Sequence, residues 1–410
     1  MSGIVIIGAG QAGASLAAEA RTLGYSGAIT LIGEEPVAPY QRPPLSKGYL
    51  LDKIDRDGLS LRAPFFWKDH DINLTLGRRV TAIDRATSTV RAGGEIFHYE
   101  HLAIATGSSA RQLPEVLGGS LNGVYTIRSV ADVDAMAAEF RPERKLLIVG
   151  GGYIGLEAAA VGAKLGLKVT LIETAPRILQ RVAAAETSSF FRELHSANGV
   201  VIRESIGLDR LVGEDRVSGA LLSDGSELAV DFVIVGIGVM PRTRLAEDAG
   251  LVIENGIWTD ALGRTSGQNI WAAGECASFP FEGRQIRLES VGHGIAHGEQ
   301  VARNILGASQ AYGATPWFWS DQYDVKLQIA GLNDGHDRIV ERAGDQRSRS
   351  IWYFRGDRLL AVDAINDARA YMTGKRILES RQTISPEYVA DASIDVKSLL
   401  SRAVKLSQAA

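Results

Sequence analysis

The sequence has a single cysteine, Cys276, among 410 residues. One thiol cannot close an internal disulfide, so the fold stands without such a staple and the chain has no dithiol pair of its own for redox relay. No run of 18 apolar residues escapes interruption by charge or glycine, and the opening MSGIVIIGAG has neither a basic stretch nor a cleavage site. A cytoplasmic, unanchored protein is expected. Positive charge is not in excess: 44 Lys and Arg face 48 Asp and Glu, a net charge of -4, which argues against nucleic-acid binding and requires any acidic partner to find a local basic patch. Proline is sparse, with 12 residues, so the adjacent Pro43-Pro44 marks a deliberately stiffened corner.

Glycine, by contrast, is abundant at 45 residues, and its placement is patterned. The stretch GIVIIGAGQAGASLAAEARTLGYSGAITLIGEE reads as an apolar strand, a turn with Gly8, Gly10 and Gly13, an Ala-rich helix, a β-branched strand and then acids. This is a βαβ unit carrying a dinucleotide fingerprint, in which the glycines permit a tight turn and the helix N-terminus offers free N–H groups to a pyrophosphate. Glu34 stands where a carboxylate can take a ribose diol. KLLIVGGGYIGLEAAAVGAKLGLKVTLIETAPRIL repeats the device with Gly150, Gly152 and Gly155, and ends its second strand on Glu173. Two such units in one chain indicate two bound nucleotides. A carboxylate at Glu173 accepts from a 2′-hydroxyl but repels a 2′-phosphate, so NADH is expected over NADPH; a merely solvated strand-end acid is the competing reading, and Arg177 and Arg181 lie close in sequence.

The strand HLAIATG, ending in Ala105, Thr106 and Gly107, leaves the first unit, and VDFVIVGIGVMPRT, with Gly238, closes the second. TSGQNIWAAGECASF and a helix near ESVGHGIAHGEQVARNI then return to the first. The expected class is α/β, with two nested Rossmann-like dinucleotide-binding domains and a C-terminal α+β domain. Its boundaries are 1–112 with 241–315, 113–240, and 316–410. In the last domain alternating strands precede a helix in VKSLLSRAVKLS.

The segments PYQRPPLSKGYL, ATGS, GGGYIGLE, APRILQR, GIGVMPRT, WSDQY and GDRLLAVDAIN together resemble the oxygenase-coupled, NADH-dependent ferredoxin reductases of the glutathione-reductase-like flavoproteins, over essentially the whole chain. The resemblance implies FAD on the first βαβ unit and NADH on the second. FAD contacts would come from Gly8, Gly10, Ala12, Gly13, Glu34, Arg42, Lys47, Val80, Thr106, Gly107, Arg128, Glu275 and Val291. NADH contacts would come from Gly150, Gly152, Ile154, Gly155, Glu173 and Gly238. Lys47 would lie near flavin N5, Glu157 near both Lys47 and the nicotinamide, and Trp319 beside both rings. These three form the catalytic set, although Glu157 also reads as a first-turn helix acid and Trp317 as core. A fixed cation and a helix N-terminus suit a flavin that gains negative charge on reduction.

Two departures from the family pattern are visible. Glu275 stands where an aspartate is usual, and His293 and His297 replace amides. The histidines would line the flavin's pyrimidine side or cap their helix, and one would make flavin reduction pH-dependent near neutrality. No third ligand accompanies them, so no metal is expected. The RPPLSK loop has no cysteine, which excludes the disulfide-reductase branch and gives Cys276 the role of a small buried filler. The expected activity is electron transfer from NADH through FAD to an acidic 2Fe-2S ferredoxin. That carrier would supply a Rieske dioxygenase or a haem monooxygenase in aromatic-hydrocarbon catabolism. Docking would use basic residues such as Arg303, Lys326, Lys397, Arg402 and Lys405. Rubredoxin or quinone reduction, or redox sensing of the apoptosis-inducing type, are the alternatives. Neither a membrane nor a nucleic-acid partner is expected.

Overall fold

The computed structural model describes residues 3–344 and 347–405. Internal contacts divide the chain into two compact units. The first gathers Met1–Arg42, Ile54–Ser109 and Val239–Pro316; the second gathers Pro43–Lys53, Ala110–Gly238 and Trp317–Ala410.

The first unit is built on a parallel sheet in the order Ile270–Ala272, His101–Ile104, Ile4–Ile7, Ile29–Ile32, Ile72–Thr75. Its central strand is the opening IVII, buried at all four positions. An uninterrupted apolar run is what a strand covered on both faces requires. On one face the Gln11–Thr22 helix buries Ala14, Leu16, Ala17 and Ala20 against Ile4, Ile6, Ile29 and Leu31, together with Val301, Ala302 and Ile305 of the Val291–Ile305 helix. The chain turns to opposite sides of Ile4–Ile7, so the crevice beyond this strand's C-terminal end is the topological switch point where such sheets take ligands. The sheet is completed only when Ile270–Ala272, far along the chain, pairs with His101–Ile104. This is the nesting the sequence indicates.

The second unit repeats the plan. Its parallel sheet runs Val201–Glu204, Lys168–Glu173, Lys145–Val149, Phe232–Val235, Val124–Tyr125. Val149 pairs with Ile172 as Ile7 pairs with Ile32. The same unit includes an antiparallel sheet in the order Trp317–Gln322, Val325–Gly331, Arg358–Ile365, Arg349–Arg355, Arg338–Ala343. The Ala368–Glu379 helix packs on it around Trp352, Phe354, Val362 and Ile377, started by Asp367 accepting from the Ala370 N–H at 2.9 Å. Within the described part of VKSLLSRAVKLS the expected helix is a single turn, Leu399–Arg402; its last two residues lie outside the described residues. Beyond it Val404–Lys405 is extended and pairs with Gln382–Thr383.

Candidate active site and nucleotide cradles

The first cradle begins where Ile4–Ile7 ends. Gly8 has φ +115°, and a Cβ there would lie 2.1 Å from the Ala105 carbonyl oxygen; one at Gly13 would lie 2.1 Å from the Gly8 oxygen. Those two glycines are demanded by the protein's own packing. A Cβ at Gly10 would meet nothing within 4 Å. Packing therefore leaves Gly10 unexplained, whereas close approach of a phosphate to the backbone explains it. Gly10 also caps the helix and, having no side chain, leaves the first-turn N–H groups, Ala12's among them, without a side-chain cap.

The second cradle repeats the pattern. Gly150 has φ +112° with a virtual Cβ 2.5 Å from the Gly236 oxygen, and Gly155's would lie 2.1 Å from the Gly150 oxygen. Gly152 again meets nothing and again caps its helix, Tyr153–Lys164, without a side chain. Ile154, the counterpart of Ala12, is 42 % exposed although apolar. Both cradles thus fit a dinucleotide pyrophosphate.

The two acids differ. Glu173 directly follows the residue paired with Val149, and its carboxylate folds back to accept from the N–H groups of Gly151 at 2.7 Å and Ala175 at 2.8 Å and from the Thr174 hydroxyl at 3.2 Å. Three of about four acceptor sites are filled, which leaves one for a ribose hydroxyl. Arg177 is turned away, bonded to Ser188 Oγ at 2.6 Å and the Ala184 carbonyl at 3.2 Å. Glu34 comes one residue later in register and lies between Arg79 at 3.2 Å and Arg242 at 2.8 Å.

The stiffened loop carries its two cations to different units. Arg42 belongs to the first, held by Glu35 Oε1 at 2.6 Å and the Tyr40 hydroxyl at 2.9 Å, while Tyr40 donates to Glu35 Oε2 at 2.6 Å. Burial pushes the Glu35 carboxyl up, but Arg42 and Tyr40 outweigh it and hold it below the usual range. Lys47 belongs to the second unit, where its Nζ meets Glu157 Oε2 at 2.8 Å. Glu157, on the Tyr153–Lys164 helix, is 2 % exposed and also accepts from Ser46 Oγ at 2.5 Å and Ser320 Oγ at 2.6 Å. Pro43–Ser46 forms a short 3-10 turn, so the prolines set the angle at which Ser46 and Lys47 reach the carboxylate.

Among the other expected residues, Glu275 accepts from Ser108 Oγ at 2.6 Å in the first unit. Val291 opens its helix, and Ser290 caps it by accepting from the His293 N–H at 3.1 Å. Val80 begins a strand of a three-stranded meander. Thr106 donates to the Arg242 carbonyl at 2.8 Å, and Gly107 has φ +66°. Arg128 lies in the second unit, just before the Val130–Met136 helix. Gly238, at φ +96°, accepts through its carbonyl from the Arg111 N–H at 3.0 Å. Trp317 and Trp319 stack, with ring centroids 5.6 Å apart and both half-buried, on the strand face opposite Phe318, Ser320 and Gln322.

The histidine expectation is corrected. His293 and His297 are buried in a cluster with Phe279 and Tyr312, and Ser290 rather than either histidine caps the helix. Burial pushes His293 down to about 4 and His297 well below its ordinary value, so neither titrates near neutrality. No cluster of three metal-ligating side chains occurs among the described residues. Cys276 is fully buried and its thiol is pushed up by that burial. Of the basic docking candidates, Arg303 is taken up by Glu19 at 2.8 Å, whereas Lys326, Lys397, Arg402 and Lys405 are exposed in the second unit. No helix among the described residues is long and apolar enough to cross a membrane.

Ser46, Ser320, Gln322 and His195, which surround or extend the Glu157 site, are not among the residues expected from sequence. The polar side chains at alternate positions of WFWSDQ were the available signal, since Ser320 and Gln322 share a strand face.

Residues 2–298 match the model of the pyridine nucleotide-disulphide oxidoreductase family, and residues 317–400 match the reductase C-terminal family. The chain is 41% identical over 404 residues to rhodocoxin reductase of Rhodococcus erythropolis, covering 97% of this chain and 94% of the relative. It is 37% identical over 409 residues to putidaredoxin reductase of Pseudomonas putida, covering 98% and 97%. The reductase in the crystal structure of the covalent putidaredoxin reductase–putidaredoxin complex superposes with a TM-score of 0.94 at 37% identity, covering 98% of both chains.

Proposed function

Since the chain belongs to the pyridine nucleotide-disulphide oxidoreductase family, we propose that it is an FAD-dependent NADH:ferredoxin oxidoreductase. One NADH is oxidised to NAD⁺ and a proton, and its two electrons reduce two molecules of an acidic 2Fe-2S ferredoxin by one electron each. The ferredoxin in turn supplies a Rieske or haem oxygenase acting on aromatic compounds, in the cytoplasm. FAD, when bound, supplies the exchange between a two-electron donor and one-electron acceptors.

The chain's own residues do the rest. The helix N-termini after Gly10 and Gly152 take the pyrophosphates of FAD and NADH. Glu34 and Glu173 serve the adenosine riboses, and the charge on Glu173 turns away a 2′-phosphate. Arg42, Val80, Thr106, Gly107, Arg128, Glu275 and Val291 complete the FAD site; Ile154 and Gly238 line the NADH site. Lys47 and Glu157 would stand beside the flavin and nicotinamide, where the lysine would favour negative charge on the acceptor and the carboxylate holds the lysine in place. Trp319 would pack beside the nicotinamide. The division into an FAD domain (1–112 with 241–315), an NADH domain (113–240) and a C-terminal domain (316–410) belongs to this reading.

One observation carries the choice of acceptor. The Pro43–Ser46 turn, where a disulfide relay needs a thiol, presents Ser46 and Lys47 to Glu157, while the lone cysteine is sealed in the core. With no thiol to accept a pair, the acceptor is an external one, and this reading assigns it to a carrier that takes one electron at a time. Anaerobic titration with NADH, then with NADPH, followed by an acidic 2Fe-2S ferredoxin, tests this. Rapid bleaching of flavin absorbance by NADH, a weak response to NADPH and reduction of the iron–sulfur chromophore are expected. Bleaching without onward transfer to ferredoxin refutes the acceptor.

A further inference from the structure

The Glu157 carboxylate is the end of a line of side chains, all within the second unit and buried except for the part-buried Tyr323. Ser320 Oγ reaches Glu157 Oε1 at 2.6 Å, Gln322 Nε2 reaches Ser320 Oγ at 3.1 Å, His195 Nε2 meets Gln322 Oε1 at 2.7 Å, and the Tyr323 hydroxyl meets His195 Nδ1 at 3.2 Å. Ser320, Gln322 and His195 are all 0 % exposed.

Chemistry assigns every proton along this line. A carboxylate only accepts, so Ser320 must donate to it. Ser320 Oγ then accepts from the Gln322 amide nitrogen, which turns the Gln322 oxygen toward His195. That oxygen requires an N–H at His195 Nε2, so Nδ1 is bare and accepts from Tyr323. Burial pushes His195 down to about 4, which leaves a neutral ring with one N–H to place.

The outer end shows that the arrangement is held against cost. Tyr323 begins the two-residue turn between Gln322 and Val325 and has φ +56°, a left-handed conformation that favours Gly, Asn or Asp. A tyrosine there sets its phenol against His195, with ring centroids 5.1 Å apart. Two polar side chains in a buried strand are likewise expensive unless fully bonded. Their neighbour Phe318, on the same strand face, lies against Tyr153 of the Glu157 helix at 4.5 Å, so polar line and aromatic contact register one element on the other.

We propose that Ser320, Gln322, His195 and Tyr323 are positioning residues for Glu157, a one-way hydrogen-bond line whose donors all point at the carboxylate and thereby fix where it holds the Lys47 ammonium. The consequence for turnover rests on the assignment of Lys47 and Glu157 to the NADH step; the direction of the line does not.

The test uses the full-length, FAD-loaded protein with ¹⁵N-labelled histidine, in wild-type form and as Ser320→Ala, Gln322→Leu, His195→Leu and His195→Gln. Wild-type His195 is expected as the Nε2–H tautomer at neutral pH; an Nδ1–H tautomer overturns the line. Ser320→Ala, which removes a bond to the charged carboxylate, is expected to slow flavin reduction at saturating NADH by about 10-fold, and Gln322→Leu and His195→Leu, which act through Ser320, by about 3–10-fold, with NADH affinity within about 2-fold in each. His195→Gln, whose amide can both donate to Gln322 and accept from Tyr323, is expected to recover most of that rate. Equal rates in His195→Leu and wild type overturn the positioning role, and so does failure of His195→Gln to exceed His195→Leu. These comparisons stand even where Gln322→Leu does not fold. Glu157→Gln separates the two layers: an unchanged rate there removes Glu157 from the NADH step, while the tautomer still decides the line.

Discussion

Replacing Glu173 by Gln removes one charge while keeping shape, and the geometry sets the size of the change in cofactor preference. A carboxylate about 4 Å from a 2′-phosphate costs roughly 4 kcal/mol at an effective dielectric of about 20. Glu173 is half-buried, so solvent and salt reduce this to about 1–2 kcal/mol. That corresponds to about 5–30-fold in the ratio of kcat/KM for NADH over NADPH. A second effect is separable. The wild-type carboxylate accepts from the N–H groups of both Gly151 and Ala175, and an amide presents NH₂ to one of them, so the loop loosens and both nucleotides bind less well. Glu204→Gln is the control. Glu204 accepts from the Ile178 N–H at 2.8 Å and pairs with Arg192 at 2.9 Å, so its loss disturbs the loop at residue 178 without altering the charge on Glu173. The assay is steady-state kcat/KM for both nucleotides with ferricyanide as acceptor. Glu173→Gln should move the ratio and Glu204→Gln should not. A ratio within about 2-fold of wild type in Glu173→Gln refutes the electrostatic account of cofactor choice.

The glycines of each cradle should separate by role: Gly152→Ala is expected to weaken NADH binding with apoprotein stability changed by less than about 0.5 kcal/mol, whereas Gly155→Ala, which runs into the Gly150 oxygen, should lower the urea midpoint. Asp363, fully buried and bonded to Thr187 and Tyr353, is pushed by burial up to about 6, so it binds its proton more tightly folded than unfolded. Its contribution to stability is therefore full below about pH 4 and is lost as pH rises through about 6, on the order of 1–3 kcal/mol; urea midpoints across that window should slope in wild type and flatten in Asp363→Asn. Cys276→Ala should leave ferredoxin reduction within about 2-fold of wild type, and the native thiol should resist a thiol reagent until the protein is unfolded; a large loss of turnover would reinstate a thiol relay.

Local repetition made much of the fold legible. IVII and LLIVGGG declare buried strands because parallel sheets have no polar face, and each glycine triplet after such a strand has few other uses. The nesting was visible as well, since TSGQNIWAAGE is a strand without a partner nearby in sequence. Harder to see was what each side chain meets. Glu34 and Glu173 looked equivalent along the chain, yet a one-residue difference in register sends one between two arginines and folds the other onto its own loop. His293 and His297 looked titratable because their spacing is plain and their burial is not. Burial, in a cluster with Phe279 and Tyr312, lowers both out of range, and His293 adds to this at His297. The helix expected near the C-terminus shrank to one turn because Val404–Lys405 found a strand to pair with.

The sequence by itself determined the two nucleotide cradles, their order and the absence of a thiol relay, because these depend on backbone conformation and on which atoms exist. Tertiary structure alone decided which serines join Lys47 at Glu157. Ser46 lies 111 positions before it and Ser320 163 after it, and their meeting on one carboxylate, with Lys47 beside them, depends on how a loop, a helix and an antiparallel strand pack together. A buried charge must collect its partners wherever the fold delivers them, and no local pattern records that delivery.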